Sequence, residues 1–292
     1  MMIRSSLIHN LSMLLGDLLD AYVASRETSK RYRESLLRTV RKTIAAGLTS
    51  VDDLTPVQVN RFLASLSTAF SPTTRHNIRR ELLTLWRYAF EEGLTEAMPI
   101  RIAKIKPSYA APQAYSDSDL ERLLHAASTD ATKAGGTTTA RVCDLLPAWI
   151  GIAYESGLRF EDVLGLSFSN IRNRTVTTKA NKTRKALVRG LSAGTLQDIR
   201  KLQSLSADGS LFLWALTRRR AVKVWRAFLD RHGFGGSSKW LRRSCATYVE
   251  MQTPGGATRY LQHTNPSLVN NHYFDESLFA VPEGPPPIRR QM

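Results

Sequence analysis

Apolar positions repeat at helical spacing through most of the chain. Leu11, Leu14, Leu15, Leu18, Leu19 and Tyr22 share one stripe and Asp17 and Asp20 lie off it, so the spacing predicts an amphipathic first helix within Leu7–Val23. The same two acids argue against a signal peptide. Thr28 and Ser29 are capping residue types ahead of Tyr32, Leu36, Leu37, Val40 and Ile44, and Gly47 is a stop signal. Leu54-Thr55-Pro56 and Ser71-Pro72 each set a cap before a proline. They predict a third helix through Val59, Phe62, Leu63 and Leu66, and a fourth through Ile78, Leu82, Leu83, Leu85, Trp86 and Phe90, closed by Gly93. Four helices with short loops make a small all-α unit.

Met98–Ala114 contains Pro99, Pro107 and Pro112, carries Arg101, Lys104 and Lys106 with no acid, and reads as a basic interdomain linker. Beyond it, Ser116 caps a helix with Asp117 and Asp119 at its positive end, and the helix runs through Leu123 and Leu124. Val142, Leu145, Leu146, Trp149, Ile150 and Ala153 form a core helix that closes on Gly157. Val163 and Leu164 open another, which leaves Arg159 in the turn. Between Ile171 and Leu191 the period changes to that of a β-hairpin, through Thr175–Thr178 and Ala186–Val188, with residues 180–185 near the tip. Helical patterns resume at Leu196–Leu202 and Ala221–Leu229. The expected fold is mainly α in two domains. A four-helix domain spans 1–98, a linker 99–114, a mostly helical α+β domain with a small antiparallel sheet 115–280, and an extended tail 281–292.

Composition narrows the partner. With 292 residues and 42% apolar side chains, the chain can bury two cores, and 41 basic against 25 acidic residues give a charge of +16. That excess is spread along the whole sequence and points to a polyanion, with nucleic acid ahead of a membrane surface. No uncharged run reaches about 18 residues, so no membrane span is expected and the location reads as cytoplasmic. Cys143 and Cys245 lie in apolar helical patterns and read as buried free thiols. Arg75, His76, Arg79 and Arg80 cannot all face the core of one helix, and Arg172–Arg189 holds seven basic residues and no acid. Each stretch has a plainer reading, as a solvated helix face or a lysine-guarded edge strand. Read with the net charge, the candidate DNA contacts are Arg75, Arg79, Arg80, Lys104, Lys106, Lys179, Arg184, Lys185 and Arg243.

Candidate chemistry concentrates in Lys239–Tyr273, where Arg242, His263 and Tyr273 follow one another on successive elements. Singly, each has a bland alternative: Arg242 an exposed helix charge, His263 a helix-end hydrogen bonder, Tyr273 an aromatic packing beside Phe274. Tyr248 and Tyr260 fall within core helical patterns. Nothing in the chain has the spacing of a Cys/His metal site, a paired-carboxylate motif or a Gly-rich phosphate loop, so neither metal nor cofactor is expected.

Four motifs in order resemble the tyrosine recombinase (phage integrase) family. Gly157-Leu158-Arg159 with Asp162 and Leu166 is similar to its first-arginine motif, and Asn181-Lys182-Thr183 on the hairpin to its lysine turn. Leu241-Arg242-Arg243-Ser244-Cys245-Ala246-Thr247 resembles the second-arginine helix, and Leu261-Gln262-His263-Thr264 leading to Tyr273 the closing histidine and nucleophile. The resemblance implies a SAM-like core-binding domain before a catalytic domain of the DNA breaking-rejoining type. It implies a site-specific recombinase that works through a covalent 3′-phosphotyrosine without metal or ATP. The implied partners are double-stranded DNA with inverted-repeat sites, further copies of the chain in a tetramer on two sites, and accessory DNA-bending proteins. The tail after Tyr273, anchored by Leu278 and Phe279, is the implied contact between subunits.

The implied roles follow residue by residue. Tyr273 is the nucleophile, Arg159 and Arg242 the phosphate clamp, Lys182 the general acid with Lys179 its runner-up, and His263 a donor to a non-bridging oxygen. Asp162 orients Arg159. Two positions depart from the family: Lys239 stands where a histidine is usual, and Gln262 where a glycine is usual. A lysine with a pKa near roughly 10.4 is charged and is a poor base, so Lys239 is expected to contact phosphate. These departures keep two other readings open, a catalytically impaired DNA-binding protein of the same fold and a type IB topoisomerase-like relaxing enzyme.

Overall fold

The computed structural model describes residues 12–108, 110–135, 140–179, 186–205, 218–262 and 272–278. The chain divides into two compact units, residues 1–109 and 110–292. In the first, α1 (Leu15–Ser25), α2 (Lys30–Ala45), α3 (Pro56–Ser65) and α4 (Pro72–Glu91) share one core that includes Leu18, Leu36, Leu54, Leu82 and Trp86. Three helix starts form where the capping residues dictate. The side chains of Ser29, Thr55 and Ser71 accept the N–H groups of Tyr32, Gln58 and Thr74, donors that a first helical turn leaves without partners.

Two details differ from the periodic pattern. Leu14, placed on the first apolar stripe, is 55% exposed because it precedes α1 and pairs across a bridge with Ser50. On α2, Leu37 and Ile44 are each 39% exposed, whereas Thr39 and Thr43 are buried. The reason is Glu81 of α4, itself buried, which accepts hydrogen bonds from Ser35 Oγ at 2.7 Å and from Thr39 Oγ1. A buried carboxylate requires donors, so hydroxyls take the inner face and two aliphatic side chains are turned outward.

The segment expected as a linker is extended, but much of it is not loose. Ile102 is buried and Ile105 packs on the helical core. Asn60 holds Arg101 O and Ala103 N, at 3.1 and 2.9 Å, and Thr73 donates to Ser108 O at 2.6 Å. Arg79 donates to Ala103 O at 2.7 Å and to Ile102 O at 3.2 Å, and His76 Nδ1 lies 2.8 Å from Ile105 O. Part of the basic face of α4 therefore binds the chain's own strap.

The second unit contains α5 (Asp117–Thr129), α6 (Val142–Ser156), α7 (Phe160–Leu164), β1 (Ile171–Arg172), β2 (Thr175–Lys179), β3 (Ala186–Gly190), α8 (Ala193–Leu205), α9 (Arg218–Arg231), α10 (Lys239–Gln252) and α11 (Gly256–Tyr260). Helix α6 packs against α5, α8 and α10, and its Trp149 meets Phe160 and Trp225 edge-on, with ring centroids 5.0 and 4.8 Å away. The sheet runs β1-β2-β3, antiparallel throughout. Alternation turns Val176 and Leu187 into the core and leaves Val188 54% exposed. Strand β1 is too short, at two residues, to register as a period in sequence.

Glu155 near the end of α6 accepts from Ser192 N, Ser192 Oγ and Thr195 Oγ1 at 2.6–2.8 Å and so ties α6 to the start of α8. Asp130, after α5, is buried against Arg231 and His232 of the α9 end and accepts Thr132 N at 2.9 Å. Burial opposes its charge, but these hydrogen bonds outweigh it and hold the carboxyl well below the usual range. Neither cluster has a period that sequence reading could detect. Cys245 is buried as expected, whereas Cys143 is only half-buried. Among the described residues, no helix is long and apolar enough to cross a membrane.

Candidate active site

The site is organised by the end of α6. Gly157 closes the helix in the left-handed region, at φ +62°, where a glycine carries no Cβ penalty. A Cβ there would stand 2.7 Å from Leu261 Cδ2 and 3.0 Å from Cys245 Sγ, so absence of a side chain also lets α10 and the end of α11 approach. The Gly157 carbonyl accepts a hydrogen bond from Arg242 Nη1 of α10. One residue thus joins the parts of the chain that carry the first arginine, the second arginine and the approach to the histidine. Buried Ser156 stiffens the turn, accepting Leu158 N at 3.2 Å while donating to Ile152 O. Arg159 follows as the residue before α7, half-buried, and Asp162 is buried in the first turn of that helix.

Arg242 is only 5% exposed, which rules out its reading as an exposed helix charge. Burial lowers the pKa of its guanidinium, the Tyr273 phenol opposes that shift, and the like charge of Arg159 adds to it. The charge of Arg159 is thus felt at Arg242. Tyr273 lies beneath Arg242, whose Cζ is 5.0 Å from the centroid of its ring. The ring also rests on the small cluster of Ala246, Ala257 and Leu261.

The backbone around Tyr273 is held from α10. Arg243 Nε donates to His272 O at 3.0 Å, and its Nη1 reaches Gln113 O at 3.4 Å. Buried Thr247 is placed between Tyr273 O and Asp275 N, at 3.4 and 3.1 Å. Asp275, also buried, accepts Ala114 N at 2.7 Å and both Ser277 N and Ser277 Oγ. Arg243, expected to contact DNA, thus directs its guanidinium to carbonyls beside Tyr273. Burial lowers its pKa, and the nearby Tyr273 and Asp275 work against that shift.

The two neighbouring tyrosines have other work. Tyr260 donates its hydroxyl to Glu155 O, and burial pushes its pKa up to about 12. Tyr248 is likewise raised to about 12, by burial and then by its bond to Asp117.

The β3 edge is tied to the same place. Arg189 shares the inward face with Leu187, lies 4.2 Å from the Tyr260 ring centroid and donates to Tyr260 O. Gln262 Nε2 donates to Ala186 O at 2.7 Å. Its backbone is left-handed at φ +54°, a region that favours glycine. A glycine would adopt that conformation without strain, and the bond to Ala186 offsets part of the cost for Gln262. Lys239 opens α10, exposed, one turn before Arg242 on the same side of the helix.

The remaining sequence candidates divide clearly. Arg80, Lys104, Lys106 and Lys179 are exposed, Arg79 is engaged by the strap, and Arg75 is half-buried. Lys182, Arg184, Lys185, His263 and Phe279 lie outside the described residues. The residues missed in sequence are Thr247, Asp275, Arg189 and Glu155. Only Arg189 left a signal, since strand alternation from Leu187 places it inward.

The fold is similar to that of several solved structures. A lambda integrase tetramer bound to a Holliday junction superposes with a TM-score of 0.69 at 17% identity, covering 94% of this chain and 81% of that one. The Tn1549 transposon integrase in complex with a circular intermediate DNA gives 0.73 at 14% identity, over 89% and 95%. XerH site-specific recombinase bound to a palindromic difH substrate gives 0.63 at 19% identity, over 84% and 74%. The chain has the tyrosine recombinase fold. A scan against protein-family models and a search of curated proteins both find no match. At these identities the likeness lies in the backbone fold.

Proposed function

We propose that the protein is a site-specific DNA recombinase that cuts and rejoins strands through Tyr273. The observation that carries this reading is the convergence of Arg159, buried Arg242 and the Tyr273 phenol. The like charges of Arg159 and Arg242 oppose each other, and a bound phosphate would relieve that repulsion with paired donors to its oxygens. In the proposed reaction the Tyr273 oxygen, its proton lost to solvent, attacks phosphorus. The bond to the 5′ oxygen breaks as Lys182 protonates that oxygen, and a 3′-phosphotyrosine forms. Reversal by a 5′ hydroxyl restores the phosphodiester and the phenol. Arg159 and Arg242 stabilise the charge that grows on the non-bridging oxygens, with His263 as a further donor and Lys239 as a contact to the adjacent phosphate. Arg80, Lys104, Lys106, Lys179, Arg184 and Lys185 supply the salt-dependent grip on duplex DNA. Assembly as a tetramer on two sites is part of this reading and is supported by the lambda integrase tetramer on its Holliday junction.

The test uses a duplex site, located by footprinting, that carries a nick near the cut. The protein is expected to form a covalent adduct with it, and Tyr273→Phe is expected to reduce that adduct to background. Absence of adduct on a bound site would overturn the reading in favour of a DNA-binding protein without cleavage. The observation on that side is the exposed lysine at position 239, where the resemblance leads one to expect a histidine.

A further inference from the structure

We propose that Asp275 and Arg243 are positioning residues that tie the Tyr273 backbone to the connector at residues 113–115. The chain entering the catalytic unit and the nucleophile would then move as one. The inference rests on Tyr273 being that nucleophile, but the tie itself is physical. Five bonds form the latch. Arg243 bridges His272 O, immediately before Tyr273, and Gln113 O, at 3.0 and 3.4 Å. Asp275, two residues after it, accepts Ala114 N at 2.7 Å, and Thr247 donates to Tyr273 O and accepts Asp275 N. Next along the connector, Tyr115 N donates to buried Ser244 Oγ at 2.8 Å, and Ser244 in turn bonds Tyr115 O at 3.1 Å. Three consecutive connector residues are thus fastened to α10 or to the Tyr273 segment. Asp275 and Arg243 each link the connector to that segment, Arg243 at the residue before Tyr273 and Asp275 two residues after it.

A buried carboxylate that accepts backbone N–H groups resists displacement, because separating it leaves polar groups without partners. Movement of the connector is therefore passed to Tyr273, and displacement of a nucleophile by about 1 Å costs on the order of 100-fold in rate.

The experiment uses the full chain and two readings. In amide hydrogen exchange without DNA, Asp275→Asn and Arg243→Met are each expected to speed exchange at residues 113–115 and 272–277 together, by about tenfold or more. The double variant is expected to add little, because both bonds hold one segment. On the nicked duplex, each variant is expected to slow adduct formation about 10–100-fold, and for Asp275→Asn the Kd for intact DNA is expected to stay within about twofold. Unchanged exchange, exchange that rises in one segment only, or cleavage at the wild-type rate would overturn the latch. If wild-type protein makes no adduct while exchange rises in both segments, the recombinase reading falls and the tie stands. Should Asp275→Asn fail to fold, Arg243→Met, which alters a half-exposed side chain, provides both readings.

Discussion

The two units each use arginines of a long helix to grasp backbone carbonyls, and they use them differently. On α4, Arg79 donates to the carbonyls of residues 102 and 103 and remains half-exposed. On α10, Arg242 donates to Gly157 O but is buried, close to a second guanidinium and over a phenol. The first arrangement fastens a strap and is complete as it stands. The second concentrates positive charge where burial disfavours it, and under the proposed function a bound phosphate would offset that cost. Basic helices that look alike in sequence thus separate into a structural clamp and a candidate phosphate site.

The sharpest way to break this contrast is Arg242→Ala. Loss of a preorganised donor to the reacting phosphate is expected to slow adduct formation by about 10²–10³-fold. Arg79→Ala is expected to act on stability instead, costing about 1 kcal/mol in denaturant unfolding. A cleavage loss from Arg79→Ala as large as that from Arg242→Ala would erase the distinction.

Gly157→Ala comes next. It forces a Cβ into Leu261 and Cys245 at a left-handed residue, with an expected cost of about 2–3 kcal/mol in urea unfolding. A smaller cost would mean that α10 and α11 can shift apart, and that the site is softer than the strap.

Asp130→Asn tests a third, purely structural, cluster and is expected to cost about 1–2 kcal/mol. The Asp130 carboxyl titrates lower in the folded protein than in the unfolded chain. Its contribution is therefore fully present above the unfolded value of about 3.9 and is lost as pH falls through the lower folded value. The wild-type stability advantage over the variant should shrink as pH falls into the acid range, as read by thermal unfolding across pH.

The smallest effect is expected from Gln262→Gly. Relief of a left-handed backbone and loss of one hydrogen bond to Ala186 are each worth about 1 kcal/mol and nearly cancel. A loss above about 2 kcal/mol would show that the bond to β3, rather than backbone strain, dominates at this position.

Much of the fold was written locally. Ser29, Thr55, Ser71 and Ser116 act as caps where their spacing from apolar runs required it, and Gly157 stops α6 as its place in the pattern implied. Capping and periodicity depend on neighbours within one or two turns, so sequence carries them in full. At the site, Arg159, Arg242 and Tyr273 were legible as motif residues. Their convergence was not, because Gly157 O, Cys245 and Leu261 lie far apart in the chain.

Sequence by itself determined the helical elements, the polyanion-seeking charge and the order of the candidate groups. Only the tertiary structure decided which charges act inward. It buried Glu81 behind two hydroxyls, spent Arg79 and Arg243 on backbone carbonyls, and turned Arg189 onto Tyr260. A guanidinium reads the same in any exposed or buried setting until the surrounding chain fixes its partners. Long-range hydrogen bonding and desolvation make that decision, and neither leaves a period in the sequence.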